Sequence, residues 1–203
     1  LLVEELVLIV ITGPVDEWVD PGCWHTHLQH ELLSGLFPER YGLFQLRSFD
    51  WVDTDCTLCI DEVLGTFQPM SMHSKLVIID DVYLQVGSCN HNNRGLLYEG
   101  EAAVAVVDEV WVTDARHLIF ENLLGAYYEA NTSGADWLIR FKSAAVWNDW
   151  VYEDWEWEGF DLDLDGEPVP EAWLPEGFLY SLEFGPPGDC FFESVGEDVT
   201  QAL

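Results

Sequence analysis

HSKLVIIDDVYLQVGSCNHNNRGLLYEGE, residues 73–101, is the stretch whose reading decides the fold of this chain. It parses as two strands joined by a tight acidic turn, then a Gly-Ser-Cys-Asn loop, then a third strand. Residues 76–79 (Leu-Val-Ile-Ile) predict a central strand covered on both faces, because the apolar run is nearly continuous and β-branched. Strand side chains alternate, so His73 and Lys75 leave the start of that strand on the same side. The pair suits a phosphate ester: the lysine supplies charge for phosphoryl oxygens and the imidazole can attack phosphorus. Asp80 and Asp81 make the turn, which for an aspartate is ordinary turn chemistry, and residues 82–86 return as the second strand. Gly87 has no side chain, so a ligand can approach the backbone there. Ser88 and Asn90, two apart, can offer hydrogen bonds to the same phosphate oxygens. Glu101 opens the third strand, EAAVAVV, where its carboxylate can fix the tautomer of a nearby imidazole.

These positions also carry a resemblance. His73-x-Lys75-x4-Asp80, then six residues, then Gly87-Ser88-x-Asn90, resembles the HKD signature of the phospholipase D superfamily. Arg94 and Glu101 fall where that family usually has a downstream arginine and an acidic residue; Gly95 stands where a serine commonly follows the arginine. The close similarity covers residues 73–101, with a looser one from about residue 5 to 125. The resemblance implies an α/β lobe, a mixed β-sheet flanked by helices as an α-β-α sandwich. It implies catalytic roles for His73, Lys75 and Glu101, and a supporting one for Asp80. Lys75, Ser88 and Asn90 would bind the substrate phosphate, with no metal or other cofactor required. The implied reaction is a two-step phosphoryl transfer through a phosphohistidine, which needs two imidazoles in opposite protonation states. Only His73 is followed by lysine two positions on; His25, His27, His30, His91 and His117 are not. The partner is therefore expected to be a second HKD lobe, from an N-terminal half of the same enzyme or from an identical subunit. The absent initiating methionine and the long, unrepeated C-terminal extension favour the first.

Charge narrows the substrate. The chain has 203 residues, 38 of them Asp or Glu against 7 Lys or Arg, for a net charge of −31. Such a surface repels DNA, RNA and anionic lipid, and it also fits a high-salt habitat. Nucleic-acid binding depends on cationic side chains along the backbone path, so no nucleic acid is expected as partner. A phospholipid such as phosphatidylcholine is the expected substrate, with Trp24 and Trp51, in loops, as interface candidates. A catalytically incomplete binding or structural lobe, or a nuclease of the same family, are the alternatives. No run approaches the ~20 apolar residues of a membrane span. A soluble protein is expected, secreted or associated with a membrane surface, in a compartment that the sequence leaves open.

Around the motif, residues 6–12 predict a buried strand, 27–37 a helix stopped by Pro38, and 42–49 a strand. Residues 50–70 read as a loop with at most a short strand. Asp108 is placed to cap a helix that Gly125 ends. Residues 135–150 predict one more helix, and the aromatics of 177–184 and 190–195 should pack back on the lobe. Residues 151–203 hold fifteen acids and no lysine or arginine. The expected division is a phospholipase D-like lobe over 1–130 and an acidic, Trp-rich extension over 131–203. Two metal readings are weaker. Cys56 and Cys59 have C-x-x-C spacing with Cys23, His25, His27 and His30 upstream, but not in a standard knuckle pattern, and free thiols are preferred. Asp161, Asp163 and Asp165 alternate like a calcium loop, but Ala172 occupies the place of the bidentate glutamate, which favours an exposed acidic segment.

Overall fold

The computed structural model describes residues 6–12, 23–53, 63–70, 72–89, 100–157 and 174–182. Among these described residues seven strands and three helices follow one another: β1 (Leu8–Thr12), α1 (Cys23–Leu36), β2 (Tyr41–Asp53), β3 (Val63–Pro69), β4 (Lys75–Ile79), β5 (Tyr83–Gly87), β6 (Ala103–Val107), α2 (Glu109–Leu124), α3 (Asp136–Trp157) and β7 (Leu179–Ser181). The chain is α/β, as expected, but its strands form two sheets.

The first sheet is mixed and is built on β2. Its first half runs parallel to β1, its second half antiparallel to β3, and β7 pairs antiparallel with its middle. The irregular pattern of residues 50–70 reads as a loop with at most a short strand, yet β2 runs on to Asp53 and pairs with β3 from Arg47↔Pro69 to Asp53↔Val63. Trp24 and Trp51 accordingly lie in α1 and β2 rather than in loops. The second sheet is the antiparallel meander β4-β5-β6.

The larger core cluster lies between the first sheet and α2 and α3. Phe44 and Leu46 of β2 and Leu179 of β7 meet Leu124 of α2 and Trp137, Leu138, Phe141, Ala144 and Ala145 of α3. Phe120 sets its ring edge-on to Trp137 and Phe141 at 5.0 and 4.9 Å, a favoured aromatic geometry. Asp108 caps α2 as expected, accepting from the Trp111 N–H at 2.9 Å. Gly125 ends it at φ +53°, where a side chain would be strained. α3 runs past the expected Trp150 to Trp157, because no glycine or proline interrupts the sequence before Gly159.

Within the 177–184 segment, β7 packs back on β2, while residues 190–195 lie outside the described residues. Asn148, fully buried in α3, donates to the backbone carbonyls of Glu176 and Leu179, both at 2.8 Å, and accepts from the Glu176 N–H at 2.7 Å. Asp149 accepts from the Ser181 N–H at 3.0 Å. A single helical turn thus satisfies backbone groups that three residues of β-ladder cannot.

Candidate active site

The β4-β5-β6 meander determines which motif residues meet. Lys75 pairs with Gly87, and Gly87 with Ala103. His73 stands two residues before Lys75, Glu101 two before Ala103, and Ser88 directly after Gly87. All therefore collect at one end of this small sheet. Sequence separation of up to 28 residues is closed by two hairpin connections in register.

His73 is exposed and Lys75 half-buried. The Lys75 ammonium donates to the His73 backbone carbonyl at 2.7 Å, which keeps the cation beside the histidine. Ser88 donates its hydroxyl to Glu101 and accepts from the Ala102 N–H at 3.1 Å, while its own N–H donates to the Ala102 carbonyl at 3.0 Å. This small knot fixes the Glu101 carboxylate at the head of β6. The expected hydrogen bond from His73 to Glu101 is not among those made by the described residues; Ser88 holds the carboxylate instead. Asn90 and Arg94 lie outside the described residues, as do Cys56, Cys59 and the 161–165 acids. Among the described residues no group of three or more His, Cys, Asp or Glu is placed to hold a metal ion.

Gly87 lies where β6 comes close. A Cβ there would lie 3.0 Å from the Ala102 oxygen and 3.0 Å from the Ala103 Cβ. The missing side chain lets β6 approach, and with it Glu101. β4, for its part, is not covered on both faces: it is an outer strand of the three, with Leu76 37% and Ile79 50% exposed. The row Leu76–Val86–Val104 crosses the sheet next to the site end and is exposed throughout.

Asp80 is exposed in the turn at the far end of β4, at φ +49°. A five-residue strand rises about 17 Å, so its carboxylate is remote from His73. Its neighbour Asp81, also at positive φ, is the residue with a partner. It accepts from Arg116 of α2 at 2.5 Å (Nε) and 2.9 Å (Nη2). Arg116 is 5% exposed and lies over the Trp137 ring, 4.8 Å from its centroid. The Val82 N–H closes the turn on Ile79 at 3.0 Å, and the Asp108 N–H donates to Val82 at 3.1 Å. The hairpin tip is thus tied to α2 while the other end of the sheet carries the motif.

Sequence reasoning also missed Met72. It packs against the larger core cluster, one residue before His73. An apolar residue immediately before the polar H-x-K run was the available signal.

Residues 53–124 match the family model described as cardiolipin synthase, PLD-like domain. That match supports a likeness of this stretch to the phospholipase D superfamily. It runs from the end of β2 to the end of α2 and contains the whole meander and the Asp81–Arg116 tie. A comparison with curated proteins finds no match. Within this phospholipase D-like domain, His73, Lys75, Ser88 and Glu101 share one sheet end, and Asp80 does not reach it.

Proposed function

We propose that the chain is one half of a phosphodiesterase or phosphatidyltransferase that acts on phospholipid through a phosphohistidine. The carrying observation is the convergence of His73, Lys75, Ser88 and Glu101 at one end of the β4-β5-β6 sheet, inside the matched domain. A ring nitrogen of His73 attacks phosphorus, so that a P–N bond forms as the ester P–O bond breaks. The histidine of a second HKD lobe gives its proton to the departing alkoxide. Water or an acceptor alcohol then returns a proton to that histidine, attacks phosphorus and breaks the P–N bond. Lys75 offsets charge on the phosphoryl oxygens, with Ser88 and Asn90 as further donors. The exposed His73 ring fits a site that is completed by a second lobe. That lobe comes from an N-terminal half or an identical subunit.

Phospholipid is favoured over nucleic acid on two grounds. The matching model is described by a lipid synthase, and a net charge of −31 leaves no cationic track for a phosphate backbone. The test gives the enzyme with both lobes phosphatidylcholine vesicles and plasmid DNA at low and moderate salt. Lipid turnover with intact DNA is expected, and His73→Ala should reduce it by at least ~10²–10⁴-fold. DNA cleavage with untouched lipid would move the protein to the nuclease branch. An active His73→Ala variant would remove the histidine from the chemistry.

A further inference from the structure

The Ser88 hydroxyl has one proton to give, and at this end of the sheet two anions have a use for it. Its oxygen accepts from the Ala102 N–H at 3.1 Å, and the Ser88 N–H donates to the Ala102 carbonyl at 3.0 Å. These two bonds hold residue 88 against residue 102 and leave the hydroxyl proton free for a third group. That group is the Glu101 carboxylate. Among the described residues no other group donates to Glu101. Lys75 is in a different position. An ammonium has three donors and the His73 carbonyl takes one, at 2.7 Å, so Lys75 can meet a phosphoryl oxygen and keep that bond. Ser88 can meet the same oxygen only by letting Glu101 go.

Ser88 is exposed and Glu101 half-buried, so a ligand reaches their hydrogen bond from solvent. We infer that Glu101 is a built-in competitor for the substrate phosphate: its carboxylate takes the Ser88 proton, and a phosphoryl oxygen binds at Ser88 by displacing it. The two acceptors are alike, since carboxylate and phosphate oxygens both form charge-assisted hydrogen bonds. The hydroxyl can turn during the exchange without being stranded, because the Ala102 carbonyl lies 3.4 Å from Oγ as a second acceptor. A neutral ester oxygen is a poorer acceptor than the carboxylate and leaves the pair closed, so the contact screens for anionic ligands. This inference rests on Ser88 as a phosphate donor in the reaction proposed above.

The test is a double-mutant cycle on the full chain. Inorganic phosphate is the probe, the amide shifts of Gly87 and Ala102 are the readout, and about 0.5 M KCl screens the general negative charge. Glu101→Ala should tighten phosphate binding at least ~10-fold, and Glu101→Gln, with a neutral acceptor, by less. In a Ser88→Ala background the gain from Glu101→Ala should shrink to about 2-fold, because no donor is left to contest. Ser88→Thr keeps the hydroxyl and should keep the full gain. Should Ser88→Ala not fold, Ser88→Cys, a far weaker donor, replaces it in the cycle. In the two-lobed enzyme Glu101→Ala should lower KM for phosphatidylcholine even as kcat falls, a split that damaged folding does not produce. Equal gains in both backgrounds would reduce the effect to charge alone and overturn the inference. So would a Glu101→Ala variant that binds phosphate no tighter than the parent, or a KM that stays or rises. Lipid turnover by the parent without coupling in the cycle overturns the competition and leaves the proposed reaction standing; coupling without lipid turnover does the reverse.

Discussion

Two adjacent aspartates in one turn make a sharp comparison. Both have positive φ, and Asn tolerates that region as Asp does, so Asp80→Asn and Asp81→Asn each remove a charge without altering backbone preference. Asp81 holds an arginine that is 5% exposed, through two hydrogen bonds at 2.5 and 2.9 Å. Nη1 of the same guanidinium is already buried without a partner. Breaking a buried pair from one side costs about 3–5 kcal/mol. The Asp81 side chain is 38% exposed, so water can replace part of what the carboxylate supplied. A loss of about 2–3 kcal/mol remains, which for a chain of this size lowers Tm by about 5–10 °C. Asp80 is exposed, and its replacement should stay within about 0.5 kcal/mol. The assay is a thermal melt followed by far-UV circular dichroism in 1 M KCl, where removing one negative charge does not itself relieve long-range repulsion. Equal Tm values for the two variants, or a larger loss for Asp80→Asn, would refute the assignment of the turn's anchoring role to Asp81.

Two further predictions concern the clasp around β7. The Tyr180 hydroxyl is buried without a hydrogen-bond partner, so Tyr180→Phe should be neutral or stabilise by up to about 1 kcal/mol in urea denaturation. Burial raises the Tyr180 phenol above its ordinary value of 10.0. The folded state therefore keeps a proton that the unfolded chain gives up. Its contribution is complete below about pH 10 and fades as pH climbs from there towards the folded value, a decline that Tyr180→Phe should lack. Gly177 has φ +67°, and a Cβ there would lie 2.2 Å from the Leu123 oxygen. Gly177→Ala should thus cost about 2–4 kcal/mol by the same denaturation measurement; a loss below 0.5 kcal/mol, against this roughly estimated penalty, would mean the backbone relaxes freely.

The motif hairpin was legible because its signals are local. Alternation fixes which side His73 and Lys75 leave the strand, and the Asp80-Asp81 pair marks the turn. Capping chemistry similarly located both ends of α2 at Asp108 and Gly125. What failed were inferences that depend on distant partners. The continuous apolar run of β4 suggested burial on both faces, but burial depends on what packs there, and Leu76 and Ile79 are exposed. The irregular pattern of residues 50–70 suggested a loop, yet pairing with β3 carries β2 to Asp53. Asp81 and Arg116 are 35 residues apart, and no periodicity links them. The choice between Asp80 and Asp81 was likewise hidden, because both residues are equally good turn formers.

Met72, which directly precedes His73, packs against the larger core cluster. Anything that loosens the packing of Phe141 or Leu124 therefore loosens the seat of the histidine as well. In a genetic screen for lost turnover, substitutions in α2 and α3 should appear beside those of the motif, many of them as temperature-sensitive alleles. Phenotype alone would assign them to the chemistry; their place in the packing assigns them to the mounting of a single side chain.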